Sequence, residues 1–247
     1  MVMNHPILMG HVNIGSYTLN NRLAHAAPVM LMYAQEDGYI NDKHIAYYAE
    51  KAKMGFSMIG VETTCVTKDG SLFHKQLGIW DDTFMQGHHK IVSACKAEGI
   101  VAVLKLGHAG QKTPADVRAR PIGASSGEYN GHKVFEATVA ELEKIEKAFV
   151  DAAYRAFLSG YDGVEINAGS GSLNNQMVCC LSNRREDSYG GSYENRLRFT
   201  RNIVEGIRSA TNRNFIVGIK MGVNDPDFND GVLNAVEYEK IDRKSVV

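Results

Sequence analysis

The sequence predicts an α/β fold of the (β/α)8 TIM-barrel type, incomplete, with about five βα units behind an N-terminal β-hairpin. Strand and helix signals alternate along the chain, the order that builds a parallel sheet with helical crossovers. Long loops follow the C-terminal ends of the strands, where a barrel carries its site. No Gly-x-Gly-x-x-Gly turn follows the first strand, which counts against the competing fold, an open doubly wound sheet. The 247 residues would suffice in length for a closed barrel, but the long loops leave room for five units rather than eight.

The hairpin is expected over residues 7–19, turning at Asn13-Ile14-Gly15-Ser16, and the first strand follows at 23–29. A helix over 42–54 would place Ile45, Tyr48, Ala49 and Ala52 on one face. The second strand covers 58–63, and its helix covers 84–98 until Gly99 breaks it. Strand three, 100–106, is a continuous apolar run of the kind buried on both faces. A loop containing Gly, Pro and Ser runs from 107 to 134. Thr138 and Glu141 form a capping box that opens a long helix to residue 159. Val139, Leu142, Ile145, Phe149, Ala152 and Ala156 give that helix one apolar face. Gly160 ends it, and strand four occupies 161–166. A further loop leads to a helix over 193–210, strand five over 215–221, and a fifth helix starting near Val232.

Hydrophobic residues make up 44% and charged residues 22%, enough apolar material for a soluble globular core. A formal net charge of −1 supplies no concentrated positive field, so neither nucleic acid nor a membrane surface is an expected partner. No apolar run approaches the roughly 18 residues of a transmembrane helix. The N-terminus lacks the basic and apolar regions of a signal peptide, which makes a cytoplasmic location the expectation. Cys65, Cys95, Cys179 and Cys180 form no CxxC pair and no zinc-like spacing, so reduced thiols and no metal site are expected. The adjacent Cys179 and Cys180 could form a redox-active vicinal pair, at the cost of backbone strain.

One segment is far more specific than the rest: Ser182-Asn183-Arg184-Arg185-Glu186-Asp187-Ser188-Tyr189-Gly190-Gly191-Ser192-Tyr193-Glu194-Asn195-Arg196-Leu197-Arg198-Phe199. It reads as a shaped loop. Gly190-Gly191 permits a tight turn, Ser192 can cap the next helix, and Glu194 sits favourably in its first turn. The arginine forks can lock such a loop to carboxylates or backbone carbonyls. The segment closely resembles the SNxRxDxYGGSxENRxRF signature of the NADH:flavin oxidoreductase / Old Yellow Enzyme family. Asn21-Arg22-Leu23 leading to Ala27-Pro28-Val29-Met30, Val61-Glu62-Thr63, Leu77-Gly78-Ile79-Trp80 and Leu106-Gly107-His108-Ala109-Gly110-Gln111 resemble the same family in the same order.

The resemblance implies an enzyme that binds FMN across the barrel mouth and takes hydride from NAD(P)H. It implies a small-molecule substrate of unsaturated carbonyl type, as in ene-reductases and 2,4-dienoyl-CoA reductases. By position it implies flavin contacts from Ala27, Pro28, Val29 and Met30 after strand one, and from Thr63 at the end of strand two. Lys220 falls where the family carries a cation near flavin N1, and a fixed charge there would stabilise the reduced ring. Lys105 stands where the family usually has Gln. It could contact the flavin, or it could snorkel to solvent or pair with Glu62 or Glu165. Two lysines so close would depress each other's pKa.

After strand four the family pattern E-[IV]-H-x-x-[HN]-G-Y-L becomes Glu165-Ile166-Asn167-Ala168-Gly169-Ser170-Gly171-Ser172-Leu173. Asn167 and Ser170 thus take the catalytic positions that bond a substrate carbonyl, and Ser172 takes that of the Tyr proton donor. Asn167 can still donate to an oxyanion, but a Ser hydroxyl is far less acidic than a phenol. Tyr33, His108 and Tyr189 are alternative donors.

Residues 1–241 are therefore expected to form the N-terminal part of a flavin-binding barrel. FMN phosphate in such barrels is held by the loops after strands seven and eight, so five units should hold FMN weakly. An iron–sulfur cluster or a second domain would lie downstream, and the sequence leaves both open, as it does the oligomeric state. Three readings stand: an FMN oxidoreductase, a catalytically degenerate flavin- or ligand-binding barrel, and an aldolase-like barrel using Lys105 or Lys220 as a Schiff base, which the signature disfavours. Asp242-Arg243-Lys244-Ser245-Val246-Val247 break the helical pattern and match the in-frame translation of a sequencing adapter, so 242–247 are expected to be a non-native tail. An uninterrupted genomic reading frame with this same ending would overturn that last expectation.

Overall fold

Side chains alternate across a strand, so each strand sends half of its residues towards the covering helices and half into the barrel. The structure, a computed structural model, describes residues 5–221. In chain order its elements are β1 (Val12–Ile14), β2 (Tyr17–Leu19), β3 (Ala24–His25), α1 (Asp42–Ala52), β4 (Met58–Cys65), α2 (Met85–Ala97) and β5 (Val101–Gly107). There follow β6 (Ile122–Gly123), β7 (Gly127–Tyr129), β8 (His132–Glu136), α3 (Val139–Leu158), β9 (Gly163–Ala168), α4 (Leu173–Val178), α5 (Tyr193–Ala210) and β10 (Ile216–Met221).

The main sheet has the order β3-β4-β5-β9-β10, all parallel, which is simply the order of the chain. A doubly wound sheet reverses its strand order at a switch point. This sheet does not reverse, and it curls as the first part of a barrel. The helix side is dry. Ile59 and Val61 of β4, Ala102, Leu104 and Leu106 of β5, and Val164 and Ile166 of β9 are buried in one core with Tyr48, Ile91, Leu142, Phe149, Phe199 and Ile203. Each Val, Leu, Ile and Phe among them contributes roughly 1.5–3 kcal/mol by leaving water. Phe149 of α3 meets Phe199 of α5 edge to face at 6.4 Å.

Inside the curl, Leu19 packs with Val101 and Val103, flanked by Val12, Ile14, Tyr17, Met58 and Ile216. The hairpin thus floors the barrel at the N-terminal ends of the strands. It is shorter than the sequence suggests, because residues 6–9 are turns and its first strand begins at Val12. The first sheet strand is shorter too, pairing only at Ala24 and His25. Beyond it the chain leaves the ladder, and Pro28, without an N–H, accepts instead from Thr63 N at 3.2 Å.

In α1 the buried face is His44, Tyr48 and Ala52, with Ile45 and Ala49 only half-buried. A polar residue can be buried there because His44 closes the capping box with Asn41. In α3 the expected face holds, except that Val139 in the first turn is 36% exposed and Ala153 joins the core. The loop 107–134 carries a small sheet of its own, β6-β8-β7, and α4 appears unannounced. All six residues of α4 are buried, so no amphipathic period marks it. The expected helix near Val232 and the tail 242–247 lie outside the described residues.

Between Val61 and Thr64, β4 takes three steps while β5 takes two, from Leu104 to Leu106. This bulge inserts one residue and re-aims its neighbours. Thr63 turns into the mouth of the barrel, while Glu62 stays buried against α1.

The signature segment is a hydrogen-bonded loop. Arg185 is 4% exposed and donates from Nη1 to Ala124 O at 3.0 Å and Ala137 O at 2.6 Å, and from Nε and Nη2 to Asp187 at 3.0 and 2.6 Å. Asn183 Nδ2 donates to Met177 O and Tyr189 O, and Arg196 donates to Val178 O and Gly191 O. Gly191 has φ +74, and Ser192 caps α5 by accepting from Asn195 N. Arg185→Ala strands two buried carbonyls and should cost about 3 kcal/mol, seen as a lower urea midpoint at unchanged slope. Arg185→Lys should recover little, because an ammonium cannot span both partners. A loss below roughly 1 kcal/mol would show that the loop holds its shape without the guanidinium.

Candidate functional site

The interior changes character over a few residues. On β5 the inward positions run Val101, Val103, Lys105, Gly107, from the apolar floor to a cavity at the C-terminal ends of the strands. Of the ten residues singled out from the sequence, eight line this cavity: Val29, Met30, Thr63, Lys105, Asn167, Ser170, Ser172 and Lys220. Ala27 and Pro28 do not. Ala27 is packed on Gly60, where a Cβ would come within 2.6 Å of its nitrogen, and Pro28 ties the loop to Thr63.

Lys105 is 3% exposed, so it does not snorkel. Its register partner is Glu165 on β9, and Lys220 on β10 stands beside Asn167. Glu62 faces α1 and is no partner of Lys105. Burial and, next, the charge of Lys220 pull the Lys105 amine down to about 8, while Glu165 opposes the fall. Glu165 Oε1 is buried without a hydrogen-bond partner among the described residues. Two amines and one carboxylate therefore converge where the barrel turns polar.

Thr63 Oγ1 is buried at the same place and has no hydrogen-bond partner among the described residues. Gly107 keeps the surface beside it flat, since a Cβ there would lie 2.7 Å from Thr63 Cγ2. Val29 and Met30 form an apolar wall. An unmet hydroxyl, two amines, an apolar wall and the bare surface at Gly107 suit a flat heteroaromatic ring that carries carbonyl acceptors, the chemistry of a flavin.

The segment after β9 is divided in its duties. Asn167 makes no side-chain hydrogen bond among the described residues and looks into the cavity. Ser172 Oγ donates to Asn167 O at 2.7 Å, so its proton is already engaged. Ser170 is exposed and sits at φ +54, in the left-handed region.

Of the alternative donors, only His108 lines the cavity. Gly110 N donates to its Nδ1 at 3.0 Å, which puts the proton of the neutral ring on Nε2, a buried atom with no partner. Burial pulls its pKa down to about 4, so the ring is neutral near pH 7. Tyr33 packs edge-on against His44, and Tyr189 is in the helix core, its phenol pushed up to about 12 by burial and by Glu146.

Sequence reasoning missed Leu72, Gln76, Ala109 and Lys112 as lining residues. Gln76 shapes the rim, donating to Thr63 O at 2.9 Å and accepting from Leu72 N at 2.8 Å. Its signal was its place immediately before Leu77-Gly78-Ile79-Trp80. All four cysteines carry free thiols, and only Cys180 is exposed. Among the described residues no group of His, Cys, Asp and Glu could hold a metal ion, and no helix is long and apolar enough to cross a membrane.

Residues 8–241 match the NADH:flavin oxidoreductase / NADH oxidase family. An NADPH dehydrogenase of Geobacillus thermodenitrificans (strain NG80-2) is 35% identical over 212 residues, covering 85% of this chain and 62% of that protein. A 2-naphthoyl-CoA reductase, solved in complex with 2-naphthoyl-CoA, superposes with a TM-score of 0.91 at 25% identity, over 97% of this chain and 38% of its own. Morphinone reductase in complex with tetrahydroNAD superposes at 0.78 with 27% identity, over 87% and 64% of the two chains. The chain thus spans about three-fifths of the length of its curated relative. A barrel sheet in chain order, a cationic mouth suited to a flavin and a family match over nearly the whole sequence agree: the chain belongs to the NADH:flavin oxidoreductase / NADH oxidase family.

Proposed function

We propose that residues 1–241 are the N-terminal part of an FMN-dependent oxidoreductase of ene-reductase type, moving hydride from NAD(P)H through FMN to a small unsaturated carbonyl substrate. The observation that carries this reading is the gathering of Lys105, Lys220 and the unpartnered Thr63 hydroxyl at the mouth of the sheet, beside Val29 and Met30. Relatives whose structures hold 2-naphthoyl-CoA and tetrahydroNAD support it.

When bound, FMN supplies the two-electron chemistry. The side chains do the rest. Lys220 and Lys105 would hold the electron-rich edge of the ring, and Thr63 would donate to it. Asn167, with its carboxamide uncommitted among the described residues, would donate to the substrate oxygen as charge develops there. The engagement of Ser172 with the Asn167 carbonyl favours a second reading, a barrel that binds flavin or ligand without completing the reduction, because no acidic hydroxyl replaces the usual phenol.

An anaerobic experiment separates the two. The protein is loaded with FMN, reduced with NADPH and mixed with a cyclic enone. Reoxidation driven by the enone is expected of the oxidoreductase, and Asn167→Ala should slow it roughly 100-fold with little change in flavin binding. Flavin binding without enone-driven reoxidation would select the second reading, and failure to bind flavin would remove the first and leave of the second only a barrel that takes another ligand.

The cation pair can be read without flavin. The Lys105 amine should titrate near pH 8, followed by NMR of the lysine side chains. Lys220→Met removes a like charge and should move that midpoint upwards. A midpoint that stays in place would show that the two amines do not interact.

A further inference from the structure

Glu62 is a carboxyl group with no exposed surface, and the proposed chemistry does not use it. The bulge in β4 turns it out of the barrel and towards the segment between β3 and α1. There Leu31 N donates to Glu62 Oε2 at 2.7 Å. The next residue of the bulge, Thr63, donates its backbone N–H to Pro28 O at 3.2 Å. Two consecutive residues of one strand thus grip the same loop at both ends, and the side chains between those grips are Val29 and Met30, the apolar wall of the cavity. The loop needs such a grip. Met32, just after Leu31, sits at φ +59, which an L side chain adopts only when its surroundings impose it.

We infer that Glu62 is a positioning residue: through the Leu31 amide, its buried carboxyl group fixes where Val29 and Met30 stand at the mouth of the barrel. The inference rests on the flavin-site reading only for what that wall faces. The grip itself is a property of the chain.

The group is also built to respond to protons. Its neighbours are His44, Tyr47 and Tyr48 of α1, and Tyr161 in the same helix-side core, and among the described residues it has no ion pair with a lysine or arginine. Glu62 N donates to Tyr48 Oη at 2.8 Å. Asn41 N donates to His44 Nδ1 at 3.2 Å and Asn41 Oδ1 lies 3.0 Å from the same nitrogen, while His44 Nε2 stands 3.7 Å from Glu62 Oε1. Neither of those facing atoms has a hydrogen bond. Burial pulls His44 down to about 4 and leaves it neutral. Burial of Glu62 outweighs the bonds from Leu31 and Tyr48 and pushes its carboxyl up to about 7.

Opening the loop would hydrate Glu62 and return it to an ordinary acidity. A carboxyl whose pKa is higher in the closed state favours closure while it is protonated. Seating of the loop is therefore strongest below the ordinary Glu range and is lost progressively as pH rises towards about 7.

Native-state hydrogen exchange of the Leu31 amide, corrected for its intrinsic rate, tests this on the whole chain with no flavin present. Wild-type protection should fall about tenfold or more between pH 5 and pH 8. Glu62→Gln keeps an oxygen that can accept from Leu31, so it should keep the protection and lose the pH dependence. Glu62→Leu should lower Leu31 protection about tenfold or more at pH 5 and leave the Leu104 amide of β5 unchanged. The inference is overturned if Glu62→Leu protects Leu31 as well as the wild type does, or if Glu62→Gln keeps the wild-type pH profile. Should Glu62→Leu fail to fold by circular dichroism, the glutamine variant decides alone. Because flavin takes no part, a protein that binds none can still pass or fail.

Discussion

Charged groups can stand inside this sheet only because its other face is sealed. Ile59 and Val61, Ala102, Leu104 and Leu106, and Val164 and Ile166 form an unbroken apolar layer against the helices. The alternation of each strand then commits every second residue to the interior. On β5 that leaves Val101, Val103, Lys105 and Gly107, with the hairpin residue Leu19 packed on the first two. Lys105 therefore stands about 7 Å above a dry floor, at a strand rise of roughly 3.3 Å per residue. An amine in that position is stripped of water below and faces the charge of Lys220 above, which is why its pKa falls against the opposing pull of Glu165. The chemistry at the mouth depends on the core behind it and on the hairpin beneath it.

Much of this was legible in the sequence, and the physical reasons differ from one element to the next. The Thr138–Glu141 capping box and the 3.6-residue spacing of α3 gave a helix within a residue of its observed ends, because cap chemistry and periodicity are local. The helix over 193–210 was read equally well from its Ser192 cap. Burial of His44 was not readable, since an apolar period passes over a polar residue and the Asn41 capping box that admits it is a matter of geometry. Nor was the bulge in β4. Val61-Glu62-Thr63-Thr64-Cys65 contains no Gly or Pro to mark it, yet it decides that Thr63 faces the cavity and Glu62 does not. At the site, the resemblance named eight lining residues, but the engagement of Ser172 Oγ with a backbone carbonyl is a matter of geometry alone.

The part of the sequence most like its family and the part least like it lie close together in the fold and answer to different demands. Arg185, Asn183 and Arg196 spend their donors on backbone carbonyls, so any chemistry mounted on this barrel would keep them. Asn167, Ser170 and Ser172 carry no such structural obligation beyond the one bond from Ser172. A strong signature therefore speaks for the scaffold, and the departures speak for the reaction. The signature loop and the altered mouth do not contradict each other.

The bonds of Arg185 also bear on how the chain reaches this state. Its guanidinium joins carbonyls 61 and 48 positions earlier in the chain, at Ala124 and Ala137. Those carbonyls directly follow β6 and β8 of the small sheet, and between them and Arg185 lie the whole of α3, β9 and α4. Contacts of such separation are formed only after the intervening segments have given up most of their freedom. The loop that most clearly marks the sequence is thus a late fastening in folding. A chain emerging from the ribosome would have to release residue 185 before residues 124 and 137 could be drawn into place, so the third and fourth βα units mature together rather than one after the other.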